Sequence, residues 1–109
     1  LVADRDLSGS GVPVDFFGET ASMPAGPAML SLLTGAPLMP VGLWYVEGGL
    51  QGRVTGALPH PEGVSRKERT AALTQSMADA FADNIAAHPE DWHMMQRLWL
   101  SDVTRRAAA

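Results

Sequence analysis

Val12-Pro13-Val14-Asp15-Phe16-Phe17-Gly18-Glu19-Thr20 runs from β-branched and aromatic residues into a glycine and then into polar side chains. Such a stretch reads as a strand that stops where chemistry can begin. Pro13 has no N–H to give to a ladder, which limits the segment to a strand start or a sheet edge. Gly18 to Pro24 reads as a loop. Upstream, Leu1 to Asp4 reads as a short buried strand that gives way to a polar loop, Arg5 to Gly11, with Ser8-Gly9-Ser10-Gly11 as its turn. If the two strands are parallel neighbours, Asp4-Arg5-Asp6 and Gly18-Glu19-Thr20 emerge at one sheet edge, where open α/β sheets bind ligands. Glu19 would then stand beside an apolar wall, able to accept hydrogen bonds from hydroxyl groups. The alternative remains open: Asp4 and Asp6 pair with Arg5 or cap turns, and Glu19 is a solvated loop residue.

Downstream, Ala25 to Thr34 reads as a short helix with an apolar face of Met29, Leu30, Leu32 and Leu33, ended by Gly35 and barred from continuing by Pro37. Leu38 to Val46 and Leu50 to Thr55 read as two strands joined at a Gly48-Gly49 turn. Ser65-Arg66-Lys67-Glu68 has the S-x-x-E form of a capping box. Leu73, Met77, Phe81 and Ile85 then recur every four residues, so an amphipathic helix should run to His88-Pro89. A second, shorter helix should follow, with Pro89 in its first turn and Trp92, Met95, Leu98 and Trp99 on one side. These elements predict an α/β fold, a partial mixed sheet of three to four strands with flanking helices, which needs a partner on at least one sheet edge.

At 109 residues, with 46% hydrophobic content, the chain can build one small core. A net charge of −4 argues against a nucleic-acid partner, because neutralising phosphates needs a basic face. Without cysteine there is no disulfide and no thiolate metal site. The longest apolar run, Ala36 to Val46, is interrupted by Pro37, Pro40 and Gly42 and is too short to cross a bilayer. The chain opens on Leu1, inside what reads as a strand, and is expected to be a fragment. Beyond the terminal Ala107-Ala108-Ala109 there is no low-complexity stretch.

No complete catalytic set is visible. G-x-S-x-G, P-loop and G-x-G-x-x-G motifs are all missing. His60, His88 and His93 lie near Glu62, Glu90 and Asp91, but five-residue spacing puts His88 and His93 about 140° apart on a helix. They read as surface and helix-end histidines, and no metal site is assigned. Met23, Met29, Met39, Trp44 and Tyr45, and again Trp92, Met94, Met95 and Trp99, offer soft and aromatic surface for a lipid or, equally, material for a core. Arg66, Lys67 and Arg69 crowd a helix N-terminus, where the dipole disfavours cations. An anionic headgroup or a coenzyme A phosphate would compensate them, as would plain solvation.

Asp4-Arg5-Asp6-Leu7, Val14-Asp15-Phe16-Phe17-Gly18-Glu19-Thr20, Met23-Pro24-Ala25-Gly26-Pro27-Ala28, Thr34-Gly35-Ala36-Pro37 and His88-Pro89-Glu90-Asp91-Trp92 occur in an order that resembles the bacterial lipid A biosynthesis acyltransferases. That family lies within the lysophospholipid acyltransferase group, and the likeness is nearest to its actinobacterial members acting on phosphatidylinositol mannosides. The resemblance covers nearly the whole chain. It implies residues 1–109 as the C-terminal portion of one acyltransferase domain of the glycerol-3-phosphate-acyltransferase type. The parent would transfer a fatty acyl group from acyl-CoA or acyl carrier protein, as co-substrate and without a cofactor, to a sugar hydroxyl of a membrane glycolipid. It would work as a peripheral protein on the cytoplasmic face of the bacterial inner membrane.

The family's H-x4-D/E motif supplies the base and the carboxylate that orients it. Here the residues five positions after His60, His88 and His93 are Ser65, His93 and Leu98, so the motif is expected upstream, in a missing N-terminal half. The resemblance gives Glu19 the role of binding acceptor hydroxyls, with Thr20 beside it and Asp4 and Arg5 supporting the loop. The other reading is a small non-enzymatic α/β domain that binds an apolar ligand or a partner helix.

Overall fold

The structure, a computed structural model, describes residues 1–6 and 8–102. Leu7 of the first motif and the alanines 107–109 lie outside the described residues. The element order is β1 (Val12–Phe16), β2 (Glu19–Met23), α1 (Gly26–Thr34), β3 (Val41–Val46), β4 (Gly49–Val54), α2 (Arg66–Ala87) and a 3-10 turn over Pro89–Asp91. The expected partial sheet of three to four strands is not formed: among the described residues the strands make two separate antiparallel hairpins, β1–β2 and β3–β4. Residues 1–4 are not in a strand. The segment expected to loop from Gly18 to Pro24 is largely β2, paired with β1 through Phe16↔Glu19, Val14↔Ala21 and Val12↔Met23. The parallel neighbours supposed from the sequence are therefore replaced by a hairpin.

The tight connection is Phe17-Gly18, with φ of 52° and 81°. Two successive positive φ values match the right-handed twist of a hairpin. An aromatic residue rarely adopts that conformation, so Phe17 masks a turn that Asn-Gly would have announced. In the second hairpin Val46 faces Gly49, so the turn is Glu47-Gly48, one residue earlier than expected, with Gly48 at φ 80°.

Helix α2 begins as its capping box predicts: the Ser65 hydroxyl accepts the backbone N–H of Glu68 at 3.2 Å. It ends at His88, ahead of Pro89. Leu73 and Met77 on its apolar stripe are fully buried, Met77 in one cluster with Val14 and Phe16 of β1, while Phe81 and Ile85, one and two turns on, are only partly covered. The core consists of Val14 and Phe16 from β1, Ala21 and Met23 from β2, Met77 and Ala78 from α2, and Ala3 and Leu98 from the flanking segments. Phe16 is 1% exposed, and burying such a ring contributes about 2–3 kcal/mol.

The second helix expected after Pro89 does not form over Trp92 to Trp99. That segment is irregular, bends at Gln96 and meets the β1–β2 hairpin through an isolated bridge of Trp99 to Ala21. Trp92 and Trp99 each come within about 6 Å of the Phe16 ring, and Trp99 Nε1 donates to the Phe16 carbonyl at 2.9 Å. Among the described residues, no helix is long and apolar enough to cross a membrane.

Candidate functional site

The β1–β2 turn is held from below. Phe16, Phe17, Trp92 and Trp99 pack edge-on or tilted against one another, with centroid distances of 4.7–6.5 Å. The Trp99 indole N–H fixes the Phe16 carbonyl, and Gln75 of α2 brackets Asp15 by accepting its N–H at 2.8 Å and donating to its carbonyl at 2.9 Å. A strand edge would otherwise leave those Asp15 groups to solvent. The turn is thus a rigid mount for the residue that follows it.

That residue is Glu19. Directly opposed residues of an antiparallel pair share a face. Glu19 therefore belongs with Phe16, Val14, Ala21 and Met23, as the last member of the row that otherwise lines the core. Its carboxylate is exposed because the row runs out at the turn. With Thr20, Leu100 and Ser101 it borders a shallow, open hollow. Thr20, one residue on, lies on the opposite face, paired with Asp15.

The other two expected site residues are elsewhere. Asp4 lines a different cleft from the hollow beside Glu19, and Arg5 Nη1 donates to Gln96 Oε1 at 2.7 Å, joining the two ends of the described chain. The structure does not bring Asp4 and Arg5 to the Glu19 turn. Asp6 holds the polar loop together: Oδ1 accepts from the Ser8 N–H and hydroxyl, and Oδ2 from the Gly11 N–H at 2.6 Å and the Ser22 hydroxyl at 3.0 Å. These donors, the Ser8 hydroxyl first, hold the Asp6 carboxyl below its ordinary value of 3.8 against a smaller opposing effect of burial. A Cβ on Gly11 would sit 2.5 Å from Asp6 Oδ2 and from the Met23 carbonyl, so only glycine lets the loop close on β2.

The second concave feature is the cleft that Asp4 borders, about 600 Å³ between residues 1–4, the start of β3 and the C-terminal half of α2. Its walls are mostly apolar, with Leu38, Leu43, Met77, Phe81 and Ile85 among them. At one end His88 stacks on Trp44 at 4.4 Å with the rings nearly parallel, and Asp91 Oδ2 accepts the Tyr45 N–H at 3.2 Å. His88, Glu90 and Asp91 bring their ligand-type atoms within 4.8 Å of one another. Two of the three already have work here, tying β3 to the end of α2. Sequence reasoning missed Asn84 and Trp92 as members of this cleft, because spacing shows which face a residue takes and not what will stand opposite it.

Of the residues singled out as lipid-like, Met23 is fully buried and Trp92 and Trp99 form the clamp, whereas Met29, Met39, Tyr45 and Met95 are exposed. His60 is occupied too, with Nε2 2.7 Å from the buried Ser31 hydroxyl, which itself donates to the Ala36 carbonyl. Since that hydroxyl proton is already committed, His60 serves here as a donor that pins the loop to the end of α1.

Residues 1–101 match the family described as bacterial lipid A biosynthesis acyltransferase. The chain is 48% identical over 109 residues to a phosphatidylinositol mannoside acyltransferase of Mycobacterium tuberculosis, covering 100% of this chain and 33% of the relative. It is 50% identical to one of Mycolicibacterium smegmatis, covering 98% of this chain and 34% of the relative. It spans about a third of the length of these curated relatives. A match across nearly every described residue, at half identity, shows that the chain belongs to the bacterial lipid A biosynthesis acyltransferase family.

Proposed function

We propose that this chain supplies the acceptor-binding edge of a glycolipid acyltransferase whose general base is carried elsewhere in the polypeptide. The parent moves a fatty acyl group from acyl-CoA, or from acyl carrier protein, onto a sugar hydroxyl of a phosphatidylinositol mannoside or a similar glycolipid. Acyl-CoA is a co-substrate, and no cofactor takes part. The parent fold is of the glycerol-3-phosphate-acyltransferase type, peripheral on the cytoplasmic face of the inner membrane. The names of the relatives support the reaction class. The exposed apolar side chains Met29, Leu30 and Leu33 on one side of α1 support contact with a lipid surface.

The observation that carries the site assignment is the position of Glu19: a carboxylate ending a core-facing row, directly after an aromatic-clamped turn. The clamp fixes the backbone from which this carboxylate projects, and a fixed starting point shortens the search for a hydroxyl in a bimolecular transfer. Glu19 orients the acceptor hydroxyl, and the base on the missing histidine removes the proton. Thr20 borders the same hollow. Arg5 ties the two ends of the described chain through Gln96, and Asp4 borders the apolar cleft.

The test uses the full-length polypeptide that contains this chain. Glu19→Gln should lower acyl transfer about ten- to a hundred-fold, the range expected for losing a charge-assisted hydrogen bond of about 1.5–3 kcal/mol, with the unfolding temperature unchanged. Wild-type transfer by that variant would overturn the assignment.

A further inference from the structure

We infer that Phe17, at the tip of the first hairpin, is the platform on which a sugar ring of the acceptor rests while a hydroxyl of that sugar is met by Glu19. The inference rests on the reading of Glu19 as the acceptor-binding carboxylate, and adds which part of the acceptor the turn itself recognises.

Phe17 serves neither the turn nor the core as well as other residues would. Its φ of 52°, followed by 81° at Gly18, is the left-handed pair of a two-residue hairpin turn, where Asn-Gly or Gly-Gly is the favoured choice. A bulky side chain there holds the backbone in a sparsely populated region, and such strain gathers where a side chain meets a ligand. Packing alone does not account for it, because Phe17 stays 50% exposed while Phe16 beside it is 1% exposed.

The ring is nonetheless supported. It meets the Phe16 ring edge-on at 4.7 Å and the Trp92 ring at 6.5 Å. Phe16 pairs directly with Glu19, so these two side chains share a face of the hairpin. Contact with the Phe16 ring brings the Phe17 ring to that same face. The turn therefore presents a propped, half-open aromatic ring and an exposed carboxylate side by side.

That combination selects among the parts of a glycolipid. A pyranose has a face of C–H bonds and a rim of hydroxyls. The face lies on an aromatic ring and removes apolar surface from water, while a hydroxyl on the rim donates to a carboxylate. A phosphate would be repelled by Glu19. An acyl chain laid over Phe17 would strip water from the carboxylate without offering it a donor. Only the sugar satisfies both groups.

The test is equilibrium binding to the full-length polypeptide without acyl donor, comparing phosphatidylinositol mannoside with unglycosylated phosphatidylinositol in the same detergent micelles. Wild type should prefer the mannoside. Phe17→Leu keeps apolar bulk against Phe16 and Trp92 but has no flat face, and should lose about five- to tenfold in mannoside affinity. Its affinity for phosphatidylinositol should not change. Phe17→Asn, which suits the left-handed turn, should show the same selective loss, and Phe17→Tyr should bind both lipids as wild type does. Mannoside binding at wild-type strength in Phe17→Leu would overturn the inference. So would an equal loss for both lipids, which would make Phe17 a support for the fold or a contact for the lipid. With no donor present nothing is transferred, so the outcome is read independently of what Glu19→Gln does to transfer.

Discussion

Glu19 and Asp6 are both carboxylates beside the first hairpin, and the structure gives them opposite occupations. Asp6 spends its acceptor positions on Ser8, Gly11 and Ser22, and so closes a loop. Glu19 ends a core-facing row with its carboxylate in solvent. The acid behaviour of Asp6 follows from its donors. Its folded pKa is depressed, so it contributes stability at pH values above its unfolded value near 3.8, and that contribution is lost as pH falls through the lower folded value. Chemical denaturation of wild type and Asp6→Asn should therefore differ by a constant amount from neutral pH down to about pH 5 and converge below about pH 3. A gap that persists in acid would show that charge is not what the loop uses. Both residues were visible in the sequence as polar material flanking apolar stretches. Their separation into a carboxylate that closes a loop and one left in solvent depended on which backbone N–H groups surround each.

At the scale of elements, the long helix was legible almost to the residue. The capping box set its start, four-residue apolar spacing set its buried side, and Pro89 set its end. Replacing Ser65 by Ala removes the acceptor for the Glu68 N–H and should cost about 1 kcal/mol, read as a lower unfolding midpoint without a change of fold. The first hairpin was half legible. Its leading strand follows from β-branched and aromatic composition, but β2, Glu-Thr-Ala-Ser-Met, has weak strand propensity and is held by pairing and by its buried Ala21 and Met23. After the 3-10 turn at Pro89–Asp91, the stretch from Trp92 to Trp99 carried a helical apolar pattern and did not become a helix. Contact of Trp92 and Trp99 with the Phe16 ring outweighs a few residues' worth of helix propensity, which is tenths of a kcal/mol each.

As a whole molecule the chain is flattened, with principal extents of 45 × 41 × 21 Å, and much apolar surface is left open. Val41, Leu43, Tyr45, Leu50 and Val54 of the second hairpin are exposed, as are Met29, Leu30 and Leu33 of α1. An isolated two-stranded ribbon is marginal in water, and open edges beside apolar faces invite pairing between chains. The 109-residue chain by itself should therefore associate, and sedimentation velocity should show the average mass rising with concentration over the micromolar range. A single monomeric species across that range would argue that these surfaces need no cover.

The amino-acid sequence alone determined the elements whose signals are local: the capped helix α2, the glycine-ended α1, the strands β1 and β3, and the ordered motifs that mark the family. These depend on propensity, capping and periodicity, which act within a few residues. Only the tertiary structure decided that the described strands form two hairpins, that Phe17 takes a left-handed turn, that Arg5 bonds Gln96 while Asp4 lines a cleft separate from the hollow at Glu19, and that this apolar cleft stands beside β3. Each of those depends on which distant groups meet, such as Trp99 with the Phe16 carbonyl, Gln75 with Asp15 and Asp91 with Tyr45. Those partners lie 46 to 83 residues apart in the chain, beyond the reach of any local pattern.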